Sequence, residues 1–174
     1  MLEDLFKVVK SRLDTDSKSS GPVRSKIPSG LLFKCPRCQN VMFMDEFQSA
    51  MKVCSACSYH ARISARERLD ITVDKDSFVE YDAGMCSKNP LDFPEYQEKL
   101  EAAQEATGLK DAVITGECTI RTRKCVIVIM DSHFMMASMG SVVGEKITRA
   151  FERATEKRLP VVLSGGVFLN RYLL

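Results

Sequence analysis

The sequence has no tryptophan, only two histidines, and nothing approaching the ~20 consecutive apolar residues that a bilayer-crossing helix needs. The missing tryptophan excludes nothing. The missing apolar span argues against passage through a membrane, and the most apolar run, Cys125 to Met130, has the length of a strand. Charge of one sign is also lacking: 25 Lys and Arg against 23 Asp and Glu leave a formal net charge of +2, too little for a strong global pull toward nucleic acid or an anionic membrane. There is no internal repeat and no low-complexity tract. The first residues lack the pattern of a secretion signal, since Met1 to Asp14 mixes acids and bases. Leu2, Leu5, Phe6, Val9 and Leu13 instead fall at helical spacing, which predicts a short amphipathic helix that docks on something.

What is present is cysteine. Seven cysteines without an export signal point to a reducing compartment, the cytoplasm, where paired cysteines serve as metal ligands more often than as disulfides. Four of them form Cys-x2-Cys, fifteen residues, Cys-x2-Cys: Cys35, Cys38, Cys54 and Cys57. Each Cys-x-x-Cys is a tight knuckle that turns two thiolates toward one point, and two knuckles supply the closed tetrahedral sulfur shell of a structural zinc site. A complete shell leaves no position for a catalytic water. Tetrahedral sulfur also suits iron, and His60 stands close enough in sequence to replace Cys57. Val41 to Phe43 and Met51 to Val53 are expected to be the strands of the ribbon's hairpin. Lys34, Arg37, Lys52, Arg62, Arg66 and Arg68 give the ribbon and its flanks a mildly basic face, which reads either as solvated surface or as a nucleic-acid contact.

The remaining chain reads in order. Thr15 to Gly30, with Pro22 and Pro28, is an extended polar linker. Ser64 and Glu67 form a capping box that starts a helix. Ser77 to Tyr81 is a strand. Pro94 opens a helix whose face carries Tyr96, Leu100, Ala103 and Thr107 and which stops at Gly108. Ala112 to Ile120 and Lys124 to Met130 alternate as two strands, joined through Arg121 to Arg123 as an antiparallel hairpin without the usual glycine. Glu145 to Lys157 is a helix with Ile147, Ala150, Phe151 and Ala154 as its stripe, and Pro160 to Leu163 is a short strand. The division is 1–30 helix and linker, 31–60 zinc ribbon, and 61–174 a mixed α/β (α+β) domain built on a strand–strand–helix unit.

Four smaller features carry local chemistry. Cys118 and Cys125 face each other across the proposed hairpin, as buried thiols rather than a redox pair. Asp131 and His133 end a strand, where His133 has no nucleophile beside it and reads as a polar loop residue. Met135, Met136 and Met139 lie in an uncharged loop that fits core and pocket equally. Gly165-Gly166 follows a short strand, where backbone amides can face an oxyanion.

The stretch Ser138-Met-Gly-Ser-Val-Val-Gly-Glu-Lys-Ile147 resembles the carboxyltransferase β subunit of bacterial acetyl-CoA carboxylase. So does the order of "IPSGLLFKCPRCQNV", "VCSACSYHARISARERLD" and "KLEAAQEATGLKDAVITGE", over residues 1–163. The resemblance implies a crotonase-like domain of ββα turns and a place in fatty-acid biosynthesis. The reaction it implies is transfer of a carboxyl group from carboxybiotin, on a biotin carboxyl carrier protein, to acetyl-CoA, giving malonyl-CoA. It further implies a partner α subunit in an α2β2 assembly, substrate contact at Ser138, Met139 and Gly140, and an oxyanion hole at Gly165 and Gly166. The chain departs from the family after Val162. Ser164-Gly165-Gly166 arrives early, the family's Ala-Arg-Met-Gln-Glu does not follow, and residues 163–174 resemble a motif of hydrogenase-maturation carbamoyltransferases. A partial, truncated crotonase-like domain with a foreign tail is therefore expected. The reading from a different class is a zinc-ribbon module that binds nucleic acid or protein without catalysis.

Overall fold

The computed structural model describes residues 30–165. The expected leading helix, most of the linker, Gly166 and the rest of the tail lie outside the described residues.

Two hydrophobic clusters organise these residues. The small one contains Cys35, Met42, Phe47 and Cys54, with Phe33, Met44, Cys57, Tyr59 and Ala61 packed around it. Its elements are β1 (Leu32–Lys34), β2 (Val41–Phe43) and the short helix α1 (Met44–Ser49). The large one carries α2 (Ala65–Thr72), β3 (Val79–Tyr81), α3 (Tyr96–Thr107), β4 (Val113–Ile120), β5 (Arg123–Met130), α4 (Ser141–Lys157) and β6 (Val161–Ser164). The sheet order is β3-β4-β5-β6, antiparallel except for the parallel β5–β6 pair. The strand–strand–helix–strand unit read from the sequence is therefore present. Residues 125–130 of β5 are all buried, as in a strand covered on both faces, and α2 and α4 both contribute cover.

Local chemistry explains most element ends. Ser64 caps α2 through its hydroxyl while the Glu67 carboxylate accepts from the Ser64 N–H at 2.8 Å, the reciprocal capping box. Gly108, left-handed at φ +69, ends α3. The β4–β5 turn places Arg121 and Thr122 at φ 49 and 68, the left-handed pair of a type I′ hairpin, with neither residue a glycine. Asp74 clamps that turn. Its carboxylate accepts from the Thr119 hydroxyl at 2.6 Å and from the Arg121 and Thr122 N–H groups at 3.0 and 2.7 Å. Those donors, the Thr119 hydroxyl first, hold the Asp74 carboxyl below its ordinary value.

Because a left-handed non-glycine residue costs about 1–2 kcal/mol, Thr122→Gly is expected to raise stability by about 0.5–1 kcal/mol, net of glycine's added unfolded-state entropy. The clamp is kept, since it binds backbone N–H. Urea unfolding checks this, and a lowered midpoint refutes it. Gly116 is the opposite case. A Cβ there would stand 2.4 Å from the Val79 carbonyl oxygen and 2.4 Å from the Phe78 ring. Gly116→Ala is expected to lose ~2 kcal/mol or more in the same assay, because a backbone oxygen cannot step aside.

Two expectations need correction. The ribbon's strands are not Val41–Phe43 with Met51–Val53. Val41–Phe43 pairs with Leu32–Lys34, and Val53 makes only an isolated bridge to His60. Each knuckle closes its own small hairpin, and α1 occupies the gap between them. The second correction concerns α4, which starts at Ser141 rather than Glu145 and so brings Val142 and Val143 into the core. Its buried face is Val143, Lys146, Ala150 and Ala154, while Phe151 is 46% exposed. The far side of α4 is tied to the sheet by Arg149 and Arg153 on Asp82 and by Lys157 on Glu117. Arg153 above all keeps the Asp82 carboxyl below its ordinary value.

Candidate metal centre and strand-end site

The two knuckles have the same backbone pattern nineteen residues apart. Cys35 N–H donates to Asn40 O and Gln39 N–H to Cys35 O, both at 2.9 Å; Cys54 N–H donates to Tyr59 O and Ser58 N–H to Cys54 O, both at 2.8 Å. Gln39 and Ser58 are both left-handed, at φ 62 and 56. The shared turn aims four sulfurs inward. All four Sγ atoms lie within 4.8 Å of one another. Cys35 to Cys57 and Cys38 to Cys54 are each 3.7 Å apart. A tetrahedron of sulfurs at ~2.3 Å from a zinc ion has edges of about 3.8 Å, so the donor set fits that ion in kind and in size. His60 is not part of the group.

Cys35 and Cys54 are buried, whereas Cys38 is exposed. Burial raises the Cys35 thiol, but the N–H groups of Cys38 and Arg37 outweigh it and bring it down to about 7. Burial and then the Cys38 thiol push Cys57 up to about 12. Phe33 stacks on Phe47 at 3.7 Å between ring centroids and walls the cluster on one side.

The second site is where β5 and β6 end. Because these strands are parallel, with Ile129 opposite Ser164, the loop after Met130 and residue Gly165 emerge at the same sheet edge. A cleft of about 320 Å3 lies there, lined in part by Arg62, Arg68, Ser132, Ser164 and Gly165. Arg62 and Arg68 have no acidic partner among the described residues, so the cleft favours an anion. The Ser138–Gly140 run is exposed and leads directly into α4, whose N-terminus has no side-chain cap. First-turn amides at a helix start and a glycine amide can oppose negative charge as it develops. Gly165 follows β6 directly and lines this cleft.

The methionine loop divides. Met135 packs on the core, while Met136 and Met139 are exposed. Met135, Met136 and Ala137 are left-handed at φ 42, 58 and 57. Such a turn of non-glycine residues costs about 1–2 kcal/mol per residue and persists only because buried Phe134 and Ala137 anchor it.

Three further groups shape this edge. Asp131 is 2% exposed, and its carboxylate accepts from Ala65 N–H at 2.7 Å, His133 N–H at 2.8 Å and His133 Nδ1 at 2.9 Å. It ties the end of β5 to the first turn of α2, and His133 serves that tether. Lys146 is also 2% exposed and donates from Nζ to Val113 O at 3.0 Å. Burial lowers its pKa, opposed by Glu80, Asp111 and Asp82. Its stem fills a core position and its ammonium pins α4 to the start of β4. The sequence pattern hid it, because a lysine in an amphipathic helix reads as solvent-facing. Cys118 and Cys125 sit opposite in register, both buried, with sulfurs 3.5 Å apart and no bond between them. Burial and then the Cys125 thiol push Cys118 up to about 12, the state of an inert thiol.

The described residues thus join a four-cysteine cluster to a sheet of ββα connection whose strand ends carry backbone amide donors. The carboxyl transferase domain family matches residues 59–168, and the chain belongs to that family. The match includes Ser164, Gly165 and Gly166. A curated relative, the beta subunit of the acetyl-coenzyme A carboxylase carboxyl transferase of Desulforamulus reducens, is 50% identical over 171 residues, covering 97% of this chain. The chain spans 59% of that relative's length. Among solved structures, a single-chain, multi-domain long-chain acyl-CoA carboxylase superposes with a TM-score of 0.50 at 29% identity, over 60% of this chain and 11% of that one. Transcarboxylase 12S, with methylmalonyl-coenzyme A and methylmalonic acid bound, gives a TM-score of 0.47 at 26% identity, over 64% of this chain and 20% of that one. Among the described residues, no helix is long and apolar enough to cross a membrane.

Proposed function

We propose that the chain acts as the β subunit of an acetyl-CoA carboxylase carboxyltransferase in the cytoplasm of a bacterium, at the entry to fatty-acid biosynthesis. Carboxybiotin, carried by a biotin carboxyl carrier protein, supplies the carboxyl group. Acetyl-CoA loses a methyl proton, its enolate takes the carboxyl carbon, and malonyl-CoA results. An α subunit completes the assembly as α2β2. The observation that carries this reading is the 50% identity to such a subunit over nearly the whole chain.

The residues take these roles. Cys35, Cys38, Cys54 and Cys57 hold one structural zinc ion, with 31–60 as the ribbon and 61–174 as the carboxyltransferase part. The two separate hydrophobic clusters support that division. Zinc supplies folding free energy there and no chemistry, because its shell is full. Gly165 and Gly166 present amides to the enolate oxygen, which carries the charge that develops in the transition state. Ser138, Met139 and Gly140 contact the thioester substrate, supported by their exposure at the uncapped start of α4.

The test is reconstitution of the zinc-loaded chain with a cognate α subunit, biotinylated carrier and acetyl-CoA. Malonyl-CoA above the α-alone control is expected. No malonyl-CoA at full metal occupancy overturns the reading for these 174 residues.

A further inference from the structure

One groove stands apart from both sites. It has a volume of about 310 Å3 and runs between the turn after α1 and the outer face of α2. Met51, Ile63 and Ile71 form its apolar surface; Met51 is 63% exposed and Ile71 48% exposed. Met51 is thrust outward by a left-handed backbone, φ 53, followed by Lys52 at φ 58. The rim is acidic on the α2 side. Glu67 is engaged by Lys52, and Asp70 has no ion pair among the described residues.

We propose that this groove is the docking site of the chain's own leading segment, residues 2–13, bound as an amphipathic helix. Leu2, Leu5, Phe6, Val9 and Leu13 make one apolar stripe at 3.6-residue spacing. On the same helical projection Lys10 and Arg12 border that stripe on opposite sides, so in either orientation one of them flanks α2 and meets Asp70, the rim carboxylate with no ion pair among the described residues. The chain enters the described structure at Gly30, directly before β1, in the same module whose α1 walls the groove. Thr15–Gly30 is sixteen residues, and a fully extended chain of that length reaches about 50 Å, so the tether spans the ribbon. A helix this short is marginal alone. Tethering raises its effective concentration at the groove to about the millimolar range, and burying the stripe supplies the remainder.

The test uses the full chain with Phe6 replaced by the photo-crosslinker p-benzoylphenylalanine. After irradiation, peptide mapping is expected to find cross-links to Met51, Ile63 or Ile71 of the same chain, identified by mixing isotope-labelled and unlabelled protein. Ile71→Asp, at a half-exposed position outside the core, is expected to abolish the cross-link and to speed tryptic cleavage after Lys10 and Arg12 about tenfold. Cross-links between chains mean that a second copy's segment fills the groove and overturn the proposal. Cross-links elsewhere, none at all, or an unchanged cleavage rate in Ile71→Asp overturn it as well.

Discussion

Cys54→Ala is expected to lower bound zinc from one ion per chain to near zero and to unfold the ribbon, leaving the four-stranded sheet folded. Cys54 is buried, and its sulfur stands 3.7 Å from that of Cys38. The ribbon's own core is essentially Met42 and Phe47 beside two of the ligands, too little apolar surface to offset the chain entropy of 30 residues. Structural zinc supplies about 10–16 kcal/mol in comparable peptides, so losing one ligand removes the dominant stabilising contribution. The large cluster shares no residue with the small one, and the two modules are joined by contacts as modest as the Lys52–Glu67 ion pair. Metal analysis by mass spectrometry and amide hydrogen exchange check both halves of the expectation. Exchange should rise in residues 32–61 and stay unchanged in β4 and β5. Retention of one zinc per chain would sink the idea. So would collapse of the sheet along with the ribbon. Because the thiols must lose their protons to bind, loading should also weaken as pH falls.

Asp131→Ala is expected to destabilise the sheet domain by about 3 kcal/mol and to loosen the loop that carries Ser138–Gly140. The carboxylate is buried and accepts three hydrogen bonds, from Ala65 and from two atoms of His133. Alanine removes every acceptor at once and strands the Ala65 N–H, a first-turn donor of α2 that the Ser64 cap does not reach. Each buried donor left unmatched costs about 1–3 kcal/mol. The tether also sets the direction in which the chain leaves β5 for the left-handed turn at Met135–Ala137, a turn that needs outside support to persist. Chemical denaturation measures the stability, and exchange at residues 132–140 measures the loop. A loss under 1 kcal/mol with unchanged exchange would show that Asp131 carries no such role. Asp131→Asn, which keeps acceptor capacity, should retain more stability than alanine.

The four cysteines were legible because a Cys-x2-Cys spacing carries its geometry within a few residues. The knuckle hydrogen bonds are all local, so no distant partner is needed to aim the sulfurs. Ser64 with Glu67, and Gly108 after Thr107, were legible for the same reason: caps are chemistry between a side chain and the nearest turn. The alternation in β4 and β5 gave the hairpin, although its turn lacks glycine. What compensates is Asp74, more than forty residues upstream, and no local pattern could reveal that clamp. The ribbon's strand pairing was not legible, because both arrangements satisfy the same cysteine spacing. Each knuckle closes on its own flanks, across a shorter loop than the expected long hairpin.

The sequence by itself determined the four-cysteine cluster, the strand–strand–helix–strand order of the sheet domain and the family, because these rest on residue types at short, fixed separations. Only the tertiary structure decided that Lys146 is buried against Val113, that Asp131 anchors α2 and that Phe151 faces out. It also brought the ends of β5 and β6 to one edge, where Arg62 and Arg68 stand without acidic partners among the described residues. Those outcomes depend on which distant segment covers a side chain and which donors it leaves unmatched, and burial of that kind is a property of the packed chain.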